Sequence, residues 1–418
     1  MTETGPNLRP LVGELPAPAT VGLALLAAWS GPDIDPHAVA AMLDLDPPTA
    51  AGLLRQLADR HLIFERSPGR FGLRTPARAF AVAHLLPTVP APGRRAALRR
   101  LAAYYLHGAE HADTFITPHR HRASPGAVAA GPGPRPASDY DTALNWLTVE
   151  QANLAHVCVT CGEQGLEQYC WQLADALRGF YYLTKPWAVW LRINTAALRA
   201  AQRRGDAVAE MNAGNGLGLV HLELGQLDQA EASYRHALDR ANHAGEAAGA
   251  ATARANAAWV EFSRGHYERF LQEIQQSYDY YVRTGARRNA SITLRGIGLA
   301  EGELGRLEDA VTHLSAALET FVALDLRLDA TMTLNALGDA YRRARDDTNA
   351  VLAYHRALEA AERCGSRYEH GRAHHRLAEL ALLRQDTGTA ARHLRRAAAD
   401  YAVLAAQAQR VTSLLTSL

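Results

Sequence analysis

A block of residues that returns every forty positions constrains the fold of this chain more than any other feature. The block Gly225-Gln-Leu-Asp-Gln-Ala230 recurs as Gly265-His-Tyr-Glu-Arg-Phe270 and as Gly305-Arg-Leu-Glu-Asp-Ala310, and weaker copies begin at Arg345 and Gln385. No residue is inserted or deleted between the copies. A fixed period of this size indicates a solenoid of stacked helix pairs. Such an array buries its core between neighbours and leaves a long concave face, which favours a binding protein.

Each copy predicts two helices that pack closely. The first helix carries a pair that ends in a small residue, and the second helix places small, large and small residues at i, i+4 and i+7, which is one helical face. The pairs are Leu217-Gly218, Ala257-Ala258, Ile297-Gly298, Leu337-Gly338 and Leu377-Ala378. Over residues 166–405 this pattern resembles the tetratricopeptide repeat (TPR), whose usual period is about 34 residues. The longer period predicts longer helices, and Phe270 departs from the pattern by replacing a small residue.

The same frame extends backwards into an aromatic stretch. Gly205 lies forty residues before Gly245, so residues 166–205 are predicted to form a degenerate first repeat and the array to hold about six helix pairs. A hydrophobic cap over the end of the array is the favoured interpretation of the stretch. An aromatic ligand pocket is the alternative, and its candidate residues are Trp171, Tyr182, Trp187 and Trp190.

The composition is that of an ordinary globular protein without a strong charge bias. The net charge of +1 gives no general attraction to nucleic acid or anionic membranes. No apolar run reaches the roughly 18 residues of a membrane span, and we expect no signal peptide. Lys185 is the only lysine, which fits a GC-rich genome such as an actinobacterial one.

The cysteines fit reduced thiols in a cytoplasmic protein. Cys158 and Cys161 form a C-x-x-C on an expected helix, but no second such pair exists, so core packing is favoured over zinc or redox chemistry. His107, His111, His119 and His121 are close in sequence, yet no carboxylate or thiol completes a metal site at a convincing spacing. We therefore predict no metal and no cofactor.

The front of the chain has a different organisation. Three helices are expected from Ala19 to Ser30, from Asp35-Pro36, and from Asp46-Pro47-Pro48 to His61, because proline favours the first helical turn. A hairpin over residues 62–74 follows, and these elements predict a winged helix. A further helix is expected from Arg94 to Phe115.

The predicted organisation is mainly α. Residues 1–116 form a winged-helix domain with a trailing helix, and residues 117–138 form a flexible linker rich in Pro, Gly, His and Arg. Residues 139–418 form a TPR-like superhelix, with a capping helix at 139–162, repeats at 166–405 and a terminal helix end at 406–418.

This order of elements, together with Thr142–Cys158, resembles the C-terminal region of actinobacterial STAND/NB-ARC-type ATPase regulators. In that class a nucleotide-binding module precedes the winged helix, but this sequence has no G-x-x-x-x-G-K-[ST] motif. The class also places a Met-His-Asp motif just after the wing, where this chain has Leu73-Arg74-Thr75. The resemblance therefore implies a regulator that lacks the ATPase module.

TPR geometry implies that first-helix residues line a concave groove. One column there contains Asn215, Arg295, Asn335 and His375, and the predicted groove residues also include Asn212, Trp259, Phe262, Asp339, Arg342 and Arg372. Side-chain amides can clamp a peptide backbone, arginine suits a carboxylate, and Trp259 and Phe262 would be an apolar anchor. A solvated polar face is the alternative.

Three functions remain open from the sequence. The first is a non-catalytic adaptor or regulatory sensor that binds a peptide or protein in the groove, plausible in secondary metabolism or development. The second is a DNA-binding transcriptional regulator, in which Arg55 and Arg60 of the third helix and Arg66, Arg70 and Arg74 of the wing meet DNA. The third is a biosynthetic enzyme with its active site in the groove, although no catalytic motif supports it. Partner identity and oligomeric state, including homo-oligomers, stay open.

Overall fold

The computed structural model describes residues 8–29, 31–122 and 133–402, which are mainly α-helical. The elements before the repeats are α1 (Arg9–Gly13), α2 (Ala17–Ala28), α3 (Pro36–Leu43), α4 (Pro47–Asp59), β1 (Ile63–Ser67), β2 (Arg70–Leu73), α5 (Thr75–Phe80), α6 (Ala91–Ile116) and α7 (Tyr140–Glu163). The helices that follow are α8 (Glu167–Ala176), α9 (Arg178–Thr184), α10 (Trp187–Arg204), α11 (Ala207–Glu223), α12 (Leu227–Ala244), α13 (Ala247–Ser263), α14 (Tyr267–Arg283), α15 (Arg287–Glu303), α16 (Leu307–Ala323), α17 (Arg327–Arg343), α18 (Asp347–Cys364), α19 (Arg367–Leu383) and α20 (Thr387–Tyr401).

Contacts divide the chain into two compact units. The first holds the described residues of 1–116, 123–177 and 192–213, and the second holds those of 117–122, 178–191 and 214–418. The domain boundaries inferred from the sequence stay a prediction. The predicted terminal segment 406–418 and residues 123–132 of the predicted linker lie outside the described residues.

Helices α3 and α4 begin where their capping residues predict. Asp35 accepts a hydrogen bond from the Ala38 amide at 2.8 Å, and Asp46 accepts one from the Thr49 amide at 2.9 Å. Both caps satisfy amide groups that have no helical partner. The helix that begins at Pro47 ends at Asp59, two residues before the predicted end, because His61 has a left-handed φ of 55°.

The predicted hairpin is present as an antiparallel pair. Strand β1 pairs with β2 in the register Ile63 to Leu73, and the turn places Gly69 at a φ of 73°. Ile34 makes an additional antiparallel bridge to Phe71, so a third short segment joins the hairpin. This bridge connects the segment before α3 to the strands.

The repeats follow the predicted frame from the first helix pair to the last. Every turn inside a pair contains a left-handed residue at the same frame position, namely Lys185, Gly225, Gly265, Gly305, Arg345 and Gln385. Glycine tolerates this conformation, whereas other residues adopt it at a cost of about 1–2 kcal/mol. The turn at Lys185 shows that the aromatic stretch shares the helical frame of the regular repeats.

The small residue of the first helix is needed for close packing, as predicted. A Cβ atom on Gly218 would lie 2.4 Å from the Tyr234 ring, and a Cβ on Gly338 would lie 2.4 Å from the Tyr354 ring. Phe270, which replaces the small residue of the pattern, is accommodated by a glycine on the next helix. A Cβ on Gly296 of α15 would lie 2.9 Å from Phe270, so this glycine makes room for the larger side chain.

Candidate functional site

The predicted first-helix column forms a buried polar ladder between successive repeats. Arg295 donates to Asp329 at 3.1 Å, and Asn335 donates to the Glu369 carboxylate at 2.9 Å and to its backbone carbonyl at 3.1 Å. Each pair joins one first helix to the next first helix, 34 residues later. Asn335 is fully buried and Arg295 is 5% exposed. The Arg295 guanidinium and the Asn335 amide nitrogen are therefore already desolvated and paired inside the array, whereas the Asn335 Oδ1 atom is buried without a hydrogen-bond partner among the described residues.

The two ends of the column have weaker contacts. Asn215, also buried, accepts a hydrogen bond from Asn256 at 3.3 Å. His375 lies 3.7 Å from the Glu379 carboxylate on its own helix. Asn212, which belongs to the first unit, is half-buried. The role of the column in partner binding stays a prediction.

A second predicted group converges on the carboxylate of Asp339. Arg372 approaches it at 2.8 Å and Arg376 at 2.9 Å, while the Tyr354 hydroxyl donates to it at 2.8 Å. Burial acts to raise the pKa of Asp339, but the two arginines and the hydroxyl outweigh it and the pKa is lowered. This cluster is an ion-pair network that joins α17, α18 and α19.

Arg342 differs from the other predicted arginines of this surface. Its side chain is half-buried, and its Nε atom has no hydrogen-bond partner among the described residues. Arg295 and Arg372 both have carboxylate partners within the array. Arg342 is therefore the predicted groove arginine that can gain the most from an anionic partner group.

The predicted apolar anchor is part of an aromatic cluster between α13 and α14, the two helices of one repeat. Trp259 lies with its ring centre 5.2 Å from Phe262 and 5.2 Å from Phe270, and Phe262 lies 5.2 Å from Tyr267. Trp259 and Phe262 are half-buried against the core of α13 and α14. Their first role is packing, and only their remaining exposed edges face outward from this cluster.

The four residues of the proposed aromatic pocket are distributed over both units. Trp171 belongs to the first unit, whereas Tyr182, Trp187 and Trp190 belong to the second. Trp190 is fully buried, and its ring centre lies 6.3 Å from that of Tyr182. Trp187 packs against the apolar cluster of the last two helices, which includes Ala378 and Tyr401.

Lys185, which the sequence analysis did not assign to the site, joins the first repeat to the sixth. Its Nζ atom lies 2.8 Å from the Glu223 carboxylate, 3.8 Å from the centre of the Tyr182 ring and 5.4 Å from that of Tyr368. The lysine is 5% exposed, and α9 contacts α19. We call Tyr182, Lys185, Glu223 and Tyr368 the junction. The sequence did contain a feature that could have singled out this residue, because Lys185 is the only lysine in the chain.

Charged residues from several first helices act on the Tyr182 hydroxyl at the junction. Burial, followed by the charge of Glu223, raises the pKa of Tyr182 far above its ordinary value. The charges of Arg295, Asp329 and Glu369 also act on this hydroxyl. The aromatic side chain of the first repeat therefore lies among the ladder residues of the later repeats.

The wing residue Arg70 is committed to carboxylates in the first unit. It pairs with Asp33, Asp35 and Glu150, and the Glu150 side chain is 1% exposed. Burial acts to lower the pKa of Arg70, but the Glu150 and Asp33 charges raise it. The prediction that Arg70 is available to DNA phosphates is wrong, because a buried ion pair between β2 and α7 holds its guanidinium.

The cysteines of the C-x-x-C pair are buried in the first unit. The Cys158 thiol donates to the Cys170 carbonyl at 3.2 Å, and the two sulfur atoms lie 3.9 Å apart. Burial raises the pKa of the Cys161 thiol, and a hydrogen bond with Cys170 followed by burial raises that of Cys158. Raised values keep the thiols protonated and unreactive.

The described residues contain neither a metal-binding cluster nor a membrane-spanning helix. No group of three or more His, Cys, Asp or Glu side chains is placed to hold a metal ion within the described ranges. No helix in the described part of the chain is long and apolar enough to cross a membrane.

A family match agrees with the repeat architecture. The tetratricopeptide repeat family matches residues 215–243, within α11 and α12. A solved structure from Pyrococcus horikoshii, a Signal Transduction ATPase with Numerous Domains (STAND) protein with a tetratricopeptide repeat sensor, is 12% identical. The similarity covers 97% of this chain and 64% of that chain, with a TM-score of 0.43.

Two curated relatives are regulatory proteins. Regulatory protein AfsR of Streptomyces griseus is 27% identical over 386 residues, which cover 91% of this chain and 38% of that protein. Regulatory protein AfsR of Streptomyces coelicolor is 28% identical over 347 residues, which cover 79% of this chain and 34% of that protein. The chain thus spans little more than a third of the length of these relatives. It is homologous to AfsR-type regulators and contains a tetratricopeptide repeat.

Proposed function

We propose that this chain is a regulatory protein whose TPR array binds a peptide or protein partner along its first helices. The polar ladder is the observation that carries the proposal. Arg295, Asn335 and Asp339 place paired charged and amide groups where apolar residues would pack at a lower desolvation cost. These buried pairs hold α17 in place, and Arg342 on the same helix is half-buried with an Nε atom that has no hydrogen-bond partner among the described residues, so it can pair with an anionic group of the partner.

The homology to AfsR-type regulators supports a regulatory rather than a catalytic role. The four buried free cysteines suit a reducing compartment, so we place the action of the protein in the cytoplasm.

Site-directed photocrosslinking tests the proposal. A photoreactive amino acid replaces Arg342, the half-buried predicted groove arginine, and the protein is irradiated in cells of its native host. We expect a discrete crosslinked partner, identified by mass spectrometry. Val322, which is 65% exposed on the second helix α16, is the matched control position. Equal crosslinking at both positions, or none at position 342, would contradict the proposed binding surface.

We further propose that α2 to α4 and the β1–β2 hairpin form a winged-helix domain that serves packing rather than DNA recognition. The ion pairs of Arg70 support this assignment, because they remove a central wing cation from phosphate contact. Arg66 and Arg74 are the other two wing arginines that could contact DNA phosphates, so the test concerns them. The test is fluorescence anisotropy with duplex DNA at low and physiological salt. We expect the wild type and an R66A/R74A variant to give the same signal, because these arginines do not contribute to DNA binding. Salt-sensitive binding that this variant abolishes would favour the transcription-factor alternative.

A further inference from the structure

A cavity in the second unit lies beside the turn between α14 and α15. Its volume is about 540 Å³, and its wall includes the start of α13, the end of α14, the first turn of α15 and the segment after α6. Ligand sites in proteins usually measure about 300–1,000 Å³. The cavity is therefore of a size that fits a small organic molecule.

The lining of this cavity contains basic residues and no carboxylate. Arg287 and Arg288 of α15 and His119 and His121 of the segment after α6 contribute to the wall. Arg288 lies 3.6 Å from Asp329 and is partly neutralised. Arg287 has no salt-bridge partner in the described part of the chain. The electrostatic character of the wall favours an anion.

The backbone adds to this preference. Arg287, Arg288 and Asn289 are the first three residues of α15, and all three line the cavity. The Arg287 amide already donates to the Gly285 carbonyl at 2.8 Å, but the amides of Arg288 and Asn289 belong to a first helical turn, whose N–H groups have no helical carbonyl partner and where the helix dipole favours negative charge. Charged side chains and backbone thus act in the same direction at one wall.

Two tyrosines add an aromatic, apolar surface to the same cavity. Tyr281 is 3% exposed, and its hydroxyl donates to Thr252 at 3.3 Å, which holds its ring in place between α13 and α14. Tyr280 also lines the cavity, and its ring centre lies 5.7 Å from that of Tyr281. Aromatic rings contribute a rigid apolar surface for the body of a ligand.

We propose that this cavity binds a small organic anion that carries a phosphate or carboxylate group. Arg287 and the first turn of α15 hold the anionic group, and the Tyr280 and Tyr281 rings contact the body of the molecule. No ladder or junction residue lines this cavity, although Arg288 contacts Asp329 of the ladder, so the proposal does not depend on partner binding by the first helices.

Isothermal titration calorimetry on the full chain tests the site, with pyrophosphate as the phosphate probe and citrate as the carboxylate probe. We expect saturable binding of at least one probe, and the stronger probe identifies the preferred group. R287A should weaken that binding about ten-fold, because it removes a charge-assisted hydrogen bond. R367A is the matched control, since Arg367 is exposed and occupies the same position at the start of α19, two periods later.

A second variant separates the cavity from general surface charge. Ala248 lines the cavity, and A248W fills it without changing the net charge. We expect A248W to abolish probe binding while the far-UV circular dichroism remains that of the wild type. The proposal is overturned if neither probe binds saturably, if R287A and R367A weaken binding equally, or if folded A248W still binds.

Discussion

The junction predicts that a single charge stabilises the contact between the first and sixth repeats. Lys185 is 5% exposed, and its ammonium contacts the Glu223 carboxylate at 2.8 Å and the Tyr182 ring at 3.8 Å. Lys185→Met keeps the aliphatic stem and the Cβ atom, so packing and the left-handed backbone at a φ of 57° are retained. The change therefore tests the charge alone.

The magnitude follows from the burial of the two partners. Breaking a buried ion pair costs about 3–5 kcal/mol because one charge is left unpaired. The Glu223 side chain is 20% exposed and keeps some hydration, so we expect the lower end, about 3 kcal/mol. If this energy holds α9 against α19, local opening should become about a hundred-fold more frequent.

Hydrogen exchange measured by mass spectrometry reads this opening helix by helix. We expect faster exchange in both α9 and the first turns of α19, which carries Tyr368. Arg345→Met is the matched control, because Arg345 is exposed and left-handed at the same frame position in the fifth repeat. It should change stability by less than about 0.5 kcal/mol. Acceleration confined to α9, or equal effects of the two variants, would refute the role of Lys185 in closing the array.

Three further predictions use other contacts. Tyr354→Phe should lower the free energy of unfolding in urea by about 2 kcal/mol, because it removes a hydrogen bond to a buried carboxylate. Tyr234→Phe should have no such effect, since that buried hydroxyl has no hydrogen-bond partner among the described residues. Burial lowers the pKa of His374 from 6.5 to about 4, so stability should fall as pH decreases from 6.5 towards 4, and His374→Asn should flatten this dependence of Tm. Arg70→Met leaves the buried Glu150 carboxylate without a cation, although Asn153 and Tyr105 still donate to it, and should cost about 3 kcal/mol in the same urea assay. Unchanged midpoints for the Tyr354 and Arg70 variants, or an unchanged pH profile, would contradict these contacts.

The helical frame was predictable because its causes are local and repeated. A small residue at Gly218 or Gly338 is required wherever a tyrosine of the second helix packs on the first, and both neighbours lie in the same forty-residue unit. The turns at Gly225, Gly265 and Gly305 require a left-handed residue, which glycine supplies. The caps at Asp35 and Asp46 act within three residues and are equally local.

The partners of the polar residues were not predictable in the same way. Asn335 and Arg295 were correctly recognised as one column, but the sequence alone left open whether they face solvent, a ligand or another repeat. Their carboxylate partners lie 34 residues away, a spacing that differs from the period itself. The same holds for Arg70 of the wing, because its partner Glu150 lies on α7, 80 residues later in the chain.

The sequence by itself determined the helix pairs, their turns and the order of the repeats, because these depend on periodic spacing and on short-range backbone preferences. Only the tertiary structure decided which charges are already neutralised. Lys185 of the first repeat lies against Tyr368 of the sixth. His119 and His121 line the same cavity as Arg287 and Arg288, although the two pairs are far apart in the chain. Such encounters depend on how small angles between successive repeats accumulate, and no single repeat contains that information.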